Sequence, residues 1–65
     1  MEINSKLIKQ RMLDKGISLT ELTNLMGIDK AYVWRLINGK AKKPTAYRLM
    51  QLATILDVDM KKLFI

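Results

Sequence analysis

Neither cysteine nor histidine occurs in this sequence. Their absence removes disulfides, thiolate zinc sites and imidazole acid–base chemistry together. No apolar run approaches the roughly 20 residues needed to span a bilayer, and the N-terminus lacks a signal-peptide core. A soluble, cytoplasmic protein is therefore expected, with no membrane partner. Proline occurs once, and no stretch has the composition of a linker or a repeat. Acid is scarce as well: six Asp and Glu face twelve Lys and Arg, for a net charge of +6. From Lys30 to Leu56 there is no acid at all, while Lys30, Arg35, Lys40, Lys42, Lys43 and Arg48 fall in that interval. Nowhere do the residues form a nucleophile–base pair, a carboxylate dyad, a glycine-rich phosphate loop or a metal-ligand spacing. No enzyme activity, cofactor or small-molecule ligand is expected.

What the chain does have is a pair of short helices. Ser18 and Glu21 have capping-box spacing, so a helix should begin near Leu19. Leu22, Leu25 and Met26 recur at i, i+3, i+4 and give it one apolar face. Gly27 follows, where a chain turning sharply out of a helix needs a positive φ. Asp29 can cap a second helix, and Ile28 and Val33 have the spacing of a hydrophobic staple. Along it Val33, Leu36 and Ile37 point one way. At about 100° per residue, Ala31 and Arg35 project nearly opposite, with Asn38 a little off and Tyr32 and Trp34 on the flanks. Asn38 and Gly39 end it. An amphipathic helix, a glycine turn and a helix with a cationic outer face make a helix-turn-helix.

The 65 residues together are expected to form one small domain, helix-turn-helix included, and a domain of that size buries only about 60% of its unfolded surface. A first helix is expected over residues 4–15, with Asn4 or Ser5 as cap and Ile8, Met12 and Leu7 as the buried stripe. Lys40 to Pro44 is the one true loop. Thr45 should cap a fourth helix whose Leu49, Leu52, Ala53 and Leu56 recur at i, i+3, i+4, i+7. Asp59 can cap a last short helix from Met60 to Phe64. The expected architecture is all-α, five helices, with no strand. The chain is either a very small complete protein or a domain of a longer one.

These residues resemble the lambda-repressor and Cro (XRE-type) class of small bacterial and phage transcription factors. The match runs through Gly16-Ile17-Ser18, Leu22, Met26-Gly27-Ile28, Val33, Leu36, Asn38-Gly39-Lys40, Pro44, Leu49, Leu52-Ala53, Leu56, Val58 and Leu63. It covers almost the whole chain without a gap. The resemblance implies a repressor or regulator that binds duplex DNA through its third helix, as a dimer on a two-fold operator, in the bacterial nucleoid or encoded by a phage. It also implies that Lys30, Ala31, Tyr32 and Arg35, at the first, second, third and sixth positions of that helix, contact bases.

Chemistry supports some of these roles residue by residue. Arg35 can give guanine O6 and N7 two parallel hydrogen bonds, and Ala31 is small enough to meet a thymine methyl. Tyr32 and Trp34 can pack on sugar-phosphate, or Trp34 can lie over a neighbouring helix as scaffold. Where the family has a phosphate-binding Gln, this chain has Leu19, so phosphate contact falls to backbone N–H groups near Leu19 and Thr20 and to the Thr20 hydroxyl. Asn38, Lys40, Lys42 and Lys43 match family positions that approach the DNA backbone. A helix-one Arg and helix-three Glu that pair in many members correspond here to Met12 and Ile37. Both charges have become apolar, so neither is left without its partner, and the two side chains are expected to touch. Ile55, Met60, Phe64 and Ile65 suit a dimer contact. Two other functions remain open: the DNA-binding part of a larger regulator or antitoxin, and a protein-interaction module built around Tyr32 and Trp34.

Overall fold

The computed structural model describes residues 2–65. Four α-helices carry the fold: α1 (Ser5–Lys15), α2 (Leu19–Met26), α3 (Lys30–Ile37) and α4 (Ala46–Leu56). A short 3-10 helix, Met60–Leu63, follows where a fifth α-helix was expected. The all-helical class stands, and the count is four α-helices and one 3-10 turn. Four residues are too few to close successive i→i−4 bonds, and Lys62 N instead donates to Asp59 O at 2.9 Å, an i→i−3 bond. Phe64 then leaves the helix in extended conformation and pairs with Ile3 in an isolated antiparallel bridge. Asn4 N donates to Leu63 O, and Ile65 N to Glu2 O. One residue pair per side is too little pattern for a strand to be visible in sequence.

Each helix starts on a side chain that accepts from its first turn. Asn4, Ser18, Asp29 and Thr45 cap α1 to α4, and Asp59 caps the 3-10 turn. At α2 the capping box is complete: Glu21 N donates to Ser18 Oγ and Ser18 N donates to Glu21 Oε1. Ser18→Ala should therefore cost about 1 kcal/mol and Ser18→Gly only a few tenths. In a domain of this size the alanine variant should melt roughly 4–8 °C lower. A melt indistinguishable from the wild type would mean that the box does not hold the start of α2.

The core is one cluster. Ile8 and Met12 come from α1, Leu22 and Met26 from α2, Val33, Leu36 and Ile37 from α3, and Leu49, Leu52, Ala53 and Leu56 from α4. Leu63 of the 3-10 turn closes it. Met12 and Ile37 are both buried in this cluster, and α1 packs against α3. Apolar groups there need no partner charge. Leu25 departs from expectation: it is 58% exposed. The buried stripe of α2 is centred between Leu22, Met26 and the partly buried Leu19. At about 100° per residue, Leu25 lies roughly 90° from that centre, out of reach of the core. Leu7 is likewise only half-buried.

Polar side chains tie the ends of helices to distant elements. Arg11 donates through Nε and Nη2 to Leu56 O at 3.2 and 3.1 Å, satisfying a carbonyl at the end of α4. The last carbonyl of α2, Met26 O, accepts from Arg48 Nη1 and from Gln51 Nε2, both on α4. The turn after α2 is thus held from outside as well as by its own geometry, with Gly27 at φ +67°.

Candidate nucleic-acid interface

Helix α3 is placed by its inner side. With Val33 fully buried, and Leu36 and Ile37 at 0% and 5% exposure, the opposite side must face solvent, and Lys30, Ala31 and Arg35 are all exposed. Arg35 has no carboxylate within 4 Å among the described residues, where the one ion pair is Arg11–Asp14. Its guanidinium carbon lies 6.0 Å from the centre of the Tyr32 ring. That is the outer limit of a cation–π contact. Tyr32 itself is half-buried and packs against the core. Trp34 is 45% exposed, so part of its ring faces solvent.

Lys30 joins the two helices of the motif. Its Nζ donates to Thr20 Oγ1 at 3.1 Å, so the first residue of α3 meets the second residue of α2. Lysine keeps two further N–H donors, and a hydroxyl that accepts from Lys30 can turn its own proton outward. Leu19 is half-buried on the core and offers only its backbone. Both helix N-termini carry a carboxylate in their caps, Glu21 at α2 and Asp29 at α3. These charges oppose the attraction of the helix dipole for an anion. At the start of α2 the Thr20 hydroxyl, exposed beside Lys30, is therefore a better placed donor for an anion than the capped backbone.

Beyond α3 the chain folds back on itself. Lys40 N and Ala41 N both donate to Arg35 O. Gly39 has φ +70°, and a Cβ there would come within 3.2 Å of Ser5 Oγ, so the turn sits against the first turn of α1. Lys40, Lys42 and Lys43 are exposed on this loop. Asn38 is half-buried, and its amide is engaged internally: Nδ2 donates to Trp34 O and Oδ1 accepts from Lys9 Nζ. Lys9 was missed in the sequence, because a bond across 29 residues leaves no local signal.

A solvent-facing cationic helix, the second of a glycine-turned pair, beside a basic loop without any acid is the geometry of a major-groove reader. The model of the Cro/C1-type HTH DNA-binding domain matches residues 7–65. The chain belongs to this family of DNA-binding domains. Among curated proteins, no relative matches. As a Cro/C1-type domain the chain binds double-stranded DNA, in the manner of a transcription regulator. Among the described residues no helix is long and apolar enough to cross a membrane.

A second surface lies on α4. Among its eleven residues only Arg48 is charged, and Arg48 is turned to Met26 O. Tyr47 and Met50 are exposed, and with Leu25, Gln51, Thr54 and Ile55 they line a shallow apolar groove. Met50 and Thr54 also line an adjoining one that reaches Met60. Of the four residues expected at a dimer contact, Ile55, Met60 and Phe64 are half-buried and Ile65 is 80% exposed. The near absence of charge along α4 was the signal for this outer face, and reading only its inner stripe left it unused.

Proposed function

We propose that residues 1–65 form a single DNA-binding domain of a cytoplasmic transcriptional repressor, which acts by occupying a promoter. It binds as a homodimer to a two-fold operator, with half-sites about 10 bp apart. Arg35, Lys30 and Ala31 contact base edges, with Tyr32 packed beneath Arg35. Thr20, Lys40, Lys42 and Lys43 contact phosphates, joined by the backbone at Leu19 and by Trp34. Asn38 lies among them, though its amide is occupied within the protein. The dimer contact uses Ile55, Met60, Phe64 and Ile65, a surface continuous through Met60 and Met50 with the uncharged side of α4.

The observation that carries this reading is the exposed, acid-free Arg35 on the side of α3 opposite its three core residues. Selection of bound sequences from a random duplex pool tests it, with a two-fold motif as the expected result. Recovery of no motif, from a pool retained by the protein, would sink the claim of specificity. The loop lysines give a separate check. Lys40→Ala, Lys42→Ala or Lys43→Ala should each weaken binding about equally on all sequences and lower the slope of log K against log salt by about one unit. A Lys42 variant with altered sequence preference and an unaltered slope would contradict the phosphate role.

A further inference from the structure

We infer that Lys9, on α1, is a phosphate contact of the DNA interface and that Asn38 is the residue that positions it. The inference rests on the DNA-binding reading above and extends it to a helix outside the helix-turn-helix. Two independent features bring α1 to the edge of the basic surface. Gly39 approaches Ser5 and Ile3 so closely that an added Cβ would stand 3.2 Å from Ser5 Oγ, which seats the turn after α3 on the first turn of α1. Lys9 is one helical turn beyond Ser5, on the same face, and its Nζ donates to Asn38 Oδ1.

The chemistry of that bond decides its direction of use. Asn38 is the C-cap of α3, and its Nδ2 is held on Trp34 O at 2.8 Å, which fixes the amide plane with Oδ1 toward α1. A neutral acceptor orients an ammonium without neutralising it. Lys9 has no carboxylate within 4 Å among the described residues. It is exposed, and two of its three N–H donors remain for another acceptor. Its bond partner is the C-cap of α3, the residue from which the chain enters the basic loop of Lys40, Lys42 and Lys43. A phosphodiester reaching that loop meets an ammonium already held in place, so less side-chain freedom is lost on binding. Asn38, with both ends of its amide in use, serves Lys9 more than it serves the DNA.

The test is the salt dependence of binding to one duplex, measured for the whole chain. Lys9→Ala should lower the slope by about 0.9, the value for one phosphate contact, and Lys9→Arg should restore it. Lys15→Ala, six residues on and round the far side of α1, should leave the slope unchanged. Asn38→Ala should weaken binding severalfold in the wild-type background and not at all in the Lys9→Ala background. Equal slopes for Lys9→Ala and the wild type, while Lys42→Ala loses its unit, would overturn the assignment and leave the DNA-binding reading standing. Equal losses for Lys9→Ala and Lys15→Ala would reduce the effect to net charge and overturn it too. Absence of salt-dependent binding by the wild type would instead remove the DNA-binding reading itself.

Discussion

Leu36→Ala is expected to unfold most of the domain under conditions where the wild type is folded. Leu36 is fully buried on the inner side of α3, in the cluster that takes residues from every helix. Truncating a leucine in such a place costs roughly 2–5 kcal/mol, the transfer energy of the lost atoms plus a cavity that the surroundings only partly fill. Small domains lie toward the low end of the usual range of about 5–15 kcal/mol in total. The loss is therefore comparable with everything the fold has. A urea titration followed by far-UV circular dichroism reads it as a lowered midpoint at unchanged slope. An unchanged midpoint would mean that Leu36 does not fill the core.

Its neighbour in sequence should behave in the opposite way. Arg35→Ala removes an exposed side chain with no ion-pair partner among the described residues, so the urea midpoint should scarcely move. Binding should change instead. Losing the two-bond fork to guanine is expected to cost roughly 1–3 kcal/mol on the specific site and much less on random duplex. Arg35→Lys should restore charge without the planar pair of donors, so binding to random duplex recovers while discrimination stays lost. Paired titrations on specific and random DNA at one salt concentration separate these outcomes. Equal losses on both would demote Arg35 to a phosphate contact and pass the reading of bases to Lys30 with Tyr32.

The local parts of this architecture were legible without coordinates. Caps act over three residues, so Ser18 with Glu21, Asp29 and Thr45 marked the helix starts, and Gly27 marked an end that needs positive φ. The inner side of α3 followed from periodicity, and with it the outward placement of Ala31 and Arg35. What escaped was tertiary. Leu25 fitted an i, i+3 pattern, yet the width of the buried stripe depends on how α3 and α4 lie across α2. Asp57 adopts φ +55° at the end of α4, in a place where glycine would have been the recognisable signal. The Ile3–Phe64 bridge, the bond from Lys9 to Asn38 and the hold of Arg11 on Leu56 O join residues far apart in the chain. Nothing in the neighbouring sequence announces any of them.

The two donors on Met26 O bear on how far the motif can be moved. The carbonyl at the joint between α2 and α3 is held by Arg48 and Gln51, which belong to neither helix. A peptide cut from Ser18 to Gly39 would keep Gly27 and both caps but lose that brace, along with every α4 residue of the core. Transplanted alone, it would carry the recognition surface without the joint that aims it. The outward residues are another matter: Lys30, Ala31 and Arg35 are exposed and belong neither to the buried core cluster nor to the bonds on Met26 O. If bases are read at those three positions, as proposed, operator preference can drift or be redesigned there while the hinge and the scaffold stay as they are, which makes address and machinery separately mutable in a chain of 65 residues.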